Sequence, residues 1–293
     1  SVLIVGASGQ LAREMAAKTP HSFSVVALSR ADLDIANPAQ TREVIQNLRP
    51  QIVINGAAYN AVDKAENEGA ADSLKINAFG VTNLAQACRD TGARLVHFST
   101  DFVFDGHKRT PYLETDPTGP LSVYGASKLC GENVCLAMHE RNVAIRVCRL
   151  FGPLRGENGA GSAAKPGGNF PSLMLRLARE RGQVRVVDDQ IGAPSYIPDL
   201  AVAVWQLLEN LGENGGLFQI SNAGETSFAD YAAEIFRRAR VNCEVERVSS
   251  EKYGAPAKRP LYSTFSNEKA HANGVEPLRH WSEALDEFLS EIS

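Results

Sequence analysis

A chain of 293 residues, 44% hydrophobic and 22% charged, has an ordinary globular make-up and can bury roughly 75% of its unfolded surface without disulfide or metal support. Thirty Lys and Arg against thirty-four Asp and Glu leave a formal charge of −4, without the basic excess of a general nucleic-acid binder. No apolar run approaches the roughly 18–20 residues of a membrane span, and Cys88, Cys130, Cys135, Cys148 and Cys243 form no C-x-x-C pair, so reduced thiols in a cytoplasmic protein are expected.

The opening Ser1-Val2-Leu3-Ile4-Val5-Gly6 has no basic region or cleavage signature and reads as a first strand, not a signal peptide. Apolar, β-branched runs over Val2–Val5, Ser24–Leu28, Ile52–Asn55, Arg94–Ser99 and Ala144–Arg149 predict strands. Amphipathic stretches over Leu11–Ala17, Pro38–Leu48, Ala70–Thr91 and Tyr124–Met138 predict helices between them. This alternation predicts βαβ units and a doubly wound parallel sheet of the Rossmann type, in an α/β protein. After Phe151 comes a glycine-rich stretch, 152–169, with little that could pack; it reads as a lid loop. Helices are then predicted over Phe170–Glu180, Pro198–Leu211, Phe228–Ala239 and Trp281–Ile292, and strands over Val184–Val187 and Leu217–Ser221, with Thr226 or Ser227 as a helix cap. The tail therefore reads as a smaller C-terminal α/β lobe. Residues 1–150 form the expected nucleotide-binding domain, to which later segments return, and 151–293 are mainly the substrate lobe.

Gly6-Ala7-Ser8-Gly9-Gln10-Leu11-Ala12 stands between the first strand and the first helix. A glycine there permits the tight turn, a second lets the backbone approach a pyrophosphate, and the helix N-terminus supplies N–H groups and a positive dipole end. The second strand ends Leu28-Ser29-Arg30, neutral and then basic, where an NAD site usually places an acid. Arg30 can pair with a 2′-phosphate, or it is a solvated surface residue. Asp34 and Ile35 are candidates for the adenine side, or a simple turn.

Ser99-Thr100-Asp101 closes a strand, and Tyr124 and Lys128 follow at i and i+4 on one helix face. An ammonium beside a phenol favours the phenolate, so Lys128 is expected to lower the Tyr124 pKa. A hydroxyl such as Thr100 can hold a substrate carbonyl while Tyr124 delivers a proton. His97 reads as a buried, hydrogen-bonded histidine, the run Asp63–Glu68 as a solvated helix start, and the stripe Phe228, Tyr231, Ile235 as helix core. Asp188-Asp189 lacks a His partner and is not expected to bind metal or catalyse.

These residues resemble the extended short-chain dehydrogenase/reductase superfamily, and within it the dTDP-4-dehydrorhamnose reductase family. The segments that carry the likeness are 6–11 (GASGQL), 54–66 (INGAAYNAVDKAE), 99–106 (STDFVFDG), 111–116 (PYLETD), 123–132 (VYGASKLCGE), Asn169-Phe170, 189–194 (DQIGAP) and 259–263 (RPLYS). The resemblance implies reduction of the C4 ketone of a nucleotide-linked deoxysugar by NADPH, with NAD as the alternative cofactor. It implies catalytic roles for Thr100, Tyr124 and Lys128. Gly6, Ser8, Gly9, Gln10, Leu11, Ser29, Arg30, Asp34, Ile35, Ala57, Ala58, Tyr59 and Asn77, with Tyr124 and Lys128, would hold the cofactor. Asp101, Phe102, Arg149, Asn169, Phe170, Gln190 and Arg259 would face the sugar nucleotide. Arg149 stands where the family usually has a tryptophan against the sugar, which suggests a more polar substrate or a pocket rebuilt by the lid. The family can carry a magnesium bridging a dimer; Glu14 lies near the first helix, but no full ligand set matches, and no metal is expected. A homodimer is compatible with the family. The resemblance leaves open a reductase or epimerase of another nucleotide-linked ketosugar, and a non-catalytic NADP-binding subunit.

Overall fold

The computed structural model describes residues 1–153 and 168–292. In chain order its first half runs β1 (Val2–Val5), α1 (Gln10–Ala17), β2 (Val25–Leu28), α2 (Pro38–Leu48), β3 (Ile52–Asn55), α3 (Ala70–Leu74), α4 (Val81–Thr91), β4 (Arg94–Thr100), α5 (Val123–Met138) and β5 (Val143–Val147). The second half runs β6 (Leu150–Phe151), α6 (Phe170–Arg181), β7 (Gln183–Val187), β8 (Ile191–Gly192), β9 (Ser195–Tyr196), α7 (Ile197–Asn210), β10 (Gly216–Gln219), β11 (Thr226–Ser227), α8 (Phe228–Ala239), β12 (Glu244–Val248), α9 (Ser250–Tyr253), α10 (Glu268–Ala272) and α11 (Trp281–Ile292).

Six strands form one parallel sheet in the order β10-β5-β4-β3-β1-β2. Every residue of β1, β3, β4 and β5 is buried, because helices cover both faces. The edge strand β2 is only partly covered, which suits its position. Strand order reverses at β1, which has β2 on one side and β3 on the other, so the crevice at the carboxyl ends of β1 and β3 is the topological switch point. On one face α7 packs against α1; Trp205 lies in that core, and its indole N–H donates to the Met15 carbonyl at 2.9 Å. On the other face α2, α4 and α5 bury Ile45, Leu84, Cys88 and Cys135.

The C-terminal lobe has its own core, built by α6, α8, α11 and the parallel pair β7–β12 around Phe151, Tyr231, Ile235, Trp281 and Phe288. A separate cluster of Phe104, Tyr112, Cys148, Tyr262 and Phe265 fills the space where this lobe meets the end of β4.

The longer elements fall close to the periodicity, which does not predict the short strands β6, β8, β9 and β11, the strand β12 or the short helices α9 and α10, and three predicted features differ in detail. The predicted helix over 70–91 is interrupted by a π-helical turn at Lys75–Gly80. The predicted strand 144–149 stops at Val147, because Arg149 adopts a left-handed conformation with φ 44° and turns the chain into β6 of the other lobe. Ser227, not Thr226, caps α8, its hydroxyl accepting the Asp230 N–H at 3.0 Å. The lid expected over 152–169 lies mostly outside the described residues.

Candidate active site

The glycine turn after β1 sits at the switch point. Gly6 has φ 76°, and a Cβ there would come within 2.6 Å of the Ala57 backbone nitrogen, so the turns after β1 and β3 touch through a residue without a side chain. A Cβ on Gly56 would meet Ala12 Cβ at 2.8 Å, which explains the small residue on α1. Gly9 caps α1 in an extended conformation, with no side chain on the helix N–H groups and no acid in the first turn. An eight-residue helix with open N–H groups beside a bare glycine turn fits the pyrophosphate of a dinucleotide. Ser8 is exposed, and Gln10 and Leu11 are half-buried at the start of that helix.

At the end of β2, Ser29 is engaged locally: its hydroxyl and its N–H donate to Asp32 at 2.7 and 2.9 Å. That carboxyl is held below its usual range by the same two bonds. Arg30 is exposed and lies 3.9 Å from Asp34, whose carboxylate also accepts the Ala36 N–H. The Ile35 side chain is buried in the core against Gly80, away from the surface.

The loop after β3 is pinned by Asn77 of the π turn. Its Oδ1 accepts the Tyr59 N–H at 2.8 Å, and its Nδ2 donates to the Tyr59 carbonyl at 3.1 Å and to Ser127 Oγ at 3.0 Å. Ser127 in turn donates to the Tyr124 carbonyl at 2.8 Å and contacts Ser73 Oγ at 2.9 Å. One side chain therefore ties the loop after β3, at Tyr59, to the helix that carries Tyr124 and Lys128. The π turn re-aims Asn77 toward both, a common use of such turns at functional sites.

Tyr124, Lys128 and Thr100 converge. Tyr124 is buried in the first turn of α5, with the Phe102 ring edge-on at 5.5 Å between centroids. Burial pushes its phenol above the usual value, the neighbouring Asp101 adds to this, and a hydrogen bond with Thr100 offsets part of it. Lys128 Nζ donates to the Phe98 carbonyl at 2.5 Å, and burial brings it down to about 8 against a raising influence of Glu132. The expected depression of the Tyr124 pKa is absent from this state: burial and Asp101 govern the phenol, while the lysine head is drawn toward β4.

Thr100 Oγ1 donates to Asp101 Oδ1 at 3.1 Å and accepts the Phe102 N–H at 3.3 Å. Asp101 Oδ2 accepts Ser263 Oγ at 2.7 Å and Cys148 Sγ at 3.3 Å. Burial raises the Asp101 carboxyl above its usual range despite these donors and the nearby Arg149.

The candidate substrate residues fall in three places. Asp101 and Phe102 adjoin Thr100 and Tyr124. Arg149, Asn169, Phe170 and Gln190 are engaged within the lobe. Arg149 donates Nη1 to the Thr226 carbonyl and Nη2 to the Gln190 carbonyl, both at 2.8 Å, and its guanidinium lies 3.9 Å from the Phe228 ring centroid. Gln190 Nε2 donates to Ser250 Oγ at 2.8 Å. Asn169 caps α6 and donates to the Gly152 carbonyl at 2.6 Å, while Phe170 stacks on Tyr231 at 5.4 Å. Arg259 Nη2 donates to Asp63 Oδ2 at 2.9 Å. Among the described residues no group of three His, Cys, Asp or Glu side chains is placed to hold a metal ion.

The sequence reading missed several participants. Cys148 and Ser263 are 47 and 162 residues from Asp101 and meet it only in the fold. Glu66, read as part of a solvated run, accepts the Val123 N–H at 2.8 Å and fixes the start of α5. Asn55 joins β3 to the buried His97. Asp188 and Asp189 serve structure: Asp188 pairs with Arg247 at 2.8 Å, and Asp189 accepts the Ser250 N–H.

Comparison with known proteins agrees with this geometry. The sequence model of the RmlD substrate binding domain matches residues 1–293. The spore coat polysaccharide biosynthesis protein SpsK of Bacillus subtilis is 35% identical, covering 100% of this chain and 98% of its own. The dTDP-4-dehydrorhamnose reductase of Streptomyces griseus is 38% identical over 99% of this chain and 93% of its own. A solved dTDP-4-dehydrorhamnose reductase from Bacillus anthracis, in complex with NADP, superposes with a TM-score of 0.89 at 36% identity, covering 99% of this chain and 98% of its own. With the glycine cradle at the switch point and the Thr100, Tyr124, Lys128 cluster beside it, the chain belongs to the dTDP-4-dehydrorhamnose reductase family.

Proposed function

We propose that the protein reduces the C4 ketone of dTDP-4-dehydrorhamnose to dTDP-L-rhamnose with NADPH. The observation that carries this reading is the buried Tyr124 beside Thr100 at the end of β4, next to a pyrophosphate-fitting cradle. When bound, the nicotinamide supplies the hydride. Tyr124 holds its proton because burial disfavours the phenolate, and it is the group placed to protonate the oxygen formed at C4. Thr100 hydrogen-bonds the carbonyl oxygen; when it turns its proton there, Asp101 keeps Ser263 and Cys148 as donors. Lys128 holds the nicotinamide ribose, and the loop 57–59 lines the nicotinamide side. Residues 1–150, with β10 and α7 returning to them, bind the cofactor; 151–293 mainly hold the sugar nucleotide, with Arg149, Asn169 and Gln190 shaping the wall.

No helix among the described residues is long and apolar enough to cross a membrane. Five free cysteines support a reducing, cytoplasmic setting. Exposed Leu74 and Phe79 on the segment 70–91 support a homodimer, which sedimentation tests. The activity is tested with a panel of dTDP-, UDP-, GDP- and CDP-linked 4-ketosugars, followed by consumption of NADPH. Turnover is expected to be fastest with the dTDP-linked 6-deoxy sugar. No NADPH oxidation with any member refutes a reductase, and tightly retained NAD with no net consumption points to an epimerase.

A further inference from the structure

Beneath the catalytic cluster lies a histidine that the mechanism does not use. His97 is fully enclosed in β4, with Nδ1 3.1 Å from Asn55 Nδ2 and Nε2 3.5 Å from Lys128 Nζ. The proton on this ring can be located from its neighbours. The Ala57 backbone N–H donates to Asn55 Oδ1 at 3.0 Å, which fixes which end of the amide is oxygen. The other end, an NH₂ donor, then faces His97 Nδ1, so Nδ1 must accept. A neutral imidazole that accepts at Nδ1 carries its proton on Nε2. That proton points at Lys128. An ammonium offers donors only, so it confronts the Nε2–H donor to donor; an amine offers a lone pair and accepts it.

The surroundings sharpen the conflict. Glu132 is one helical turn after Lys128, but both its oxygens are taken by Arg146 of β5, at 3.0 Å from Nε and 2.6 Å from Nη2. The titratable and charged groups around the lysine head are thus His97 from β4, Tyr124 and Glu132 from its own helix, Arg146 behind Glu132, and Asp101 beside Tyr124. The helical segment 70–91 contributes the uncharged Ser73 and Asn77.

We propose that His97 is a positioning residue for Lys128: its Nε2–H, fixed by Asn55 and the Ala57 N–H, donates to the amine form of Lys128 and makes the charge of that lysine a variable of the site. Burial holds the imidazole well below its ordinary range, so it is neutral at working pH, and burial brings Lys128 near neutrality. The same chain of hydrogen bonds begins at Ala57, in the loop assigned to the nicotinamide side, and so links that loop to the lysine head. The inference deepens the reductase reading and rests on it for its kinetic meaning. Its test is made on the free protein, without turnover.

The test uses isotope-labelled full-length protein and NMR. The ¹⁵N shifts of His97 report which ring nitrogen is protonated, and the ¹³Cε shift of Lys128, identified with Lys128→Met, reports its titration. The wild type is expected to show the Nε2–H tautomer. Asn55→Asp keeps an acceptor for the Ala57 N–H and turns its second oxygen toward Nδ1. The ring should then carry its proton on Nδ1 and present a lone pair to Lys128, raising the lysine midpoint by at least one pH unit, a tenfold gain in proton affinity. His97→Phe keeps a ring but removes the donor, and should also raise the midpoint. An Nδ1–H tautomer in the wild type overturns the proposal. So does a Lys128 midpoint unmoved in Asn55→Asp, or one that rises there with the ring tautomer unchanged, which is a charge effect alone. If His97→Phe does not fold, the wild-type tautomer and Asn55→Asp decide.

Discussion

Arg149 offers the sharpest test of how the C-terminal lobe is held. Read as a residue type, it suggests five donors offered to a sugar; in the fold, two of its nitrogens clamp the Thr226 and Gln190 carbonyls. Arg149→Met keeps the stem and removes both. A hydrogen bond from a charged donor contributes about 1.5–3 kcal/mol, and a buried carbonyl left without a partner costs about 1–3 kcal/mol. Relief of the buried charge and thioether contact with Phe228 offset part of this, so the net loss is about 2–4 kcal/mol. At roughly 2–4 °C per kcal/mol for chains of this order of size, Tm should fall by about 4–15 °C. Differential scanning fluorimetry measures Tm, and initial rates measure KM for the sugar nucleotide and for NADPH. The expected result is a large fall in Tm with modest change in either KM in the folded fraction. A Tm within about 2 °C of wild type, with KM for the sugar nucleotide raised about tenfold or more, would show that the guanidinium serves the substrate and refute the clamp.

Other consequences can be checked separately. Tyr124→Phe should lower kcat by roughly 10²–10⁴-fold with little change in Tm, because the Thr100 hydroxyl keeps Asp101 and the Phe102 N–H as partners; activity within a few-fold of wild type removes Tyr124 from the chemistry. NADPH should be preferred to NADH, and Arg30→Ala should reduce that preference by roughly 10–150-fold if the exposed guanidinium meets the 2′-phosphate; an unchanged ratio of kcat/KM values shows that it points to solvent. Glu234 is held down to about 2 by hydrogen bonds from Arg237 and Arg238, against an ordinary 4.5. Its stabilisation is complete above the ordinary value and is lost as pH falls toward 2, so Glu234→Gln should flatten acid unfolding in that window. An identical acid limb in the variant contradicts this.

The cofactor half was legible because its signals are local. Gly6, Gly9 and Ala12 lie within seven consecutive residues, and the central strands are buried on both faces, so each reads as an unbroken apolar run. Tyr124 and Lys128 are one helical turn apart for the same reason. What escaped depends on contacts distant in sequence or on backbone detail. The residues of β12, Glu244-Val245-Glu246-Arg247-Val248, carry three charges, two of them adjacent, and pair with β7 some sixty positions earlier. The π turn changes the hydrogen-bond register without disturbing the apolar spacing of the 70–91 segment. Arg149 could be recognised as a departure from the family, but its left-handed backbone, which swings the side chain into the lobe, could not.

The contacts that escaped also explain how the two lobes meet at the candidate site. Ser263 reaches Asp101, the Ile191 N–H donates to the Leu261 carbonyl, and Arg259 bonds Asp63, so the loop 255–263 touches the end of β4, the lobe and the segment ahead of α5. The Arg259–Asp63 pair is half-buried and reinforced by Ala257, whose N–H donates to Asp63 and whose carbonyl accepts from Arg259. Its value lies in position. The Asp63–Glu68 run contacts the C-terminal loop through Asp63 and the first N–H of α5 through Glu66. The loop is therefore connected to the start of the helix that carries Tyr124 from one side and to Thr100, through Ser263 and Asp101, from the other. Tyr124 and the Thr100 hydroxyl are thus framed by the same loop, and the acidic run that reads as solvated surface is part of that frame.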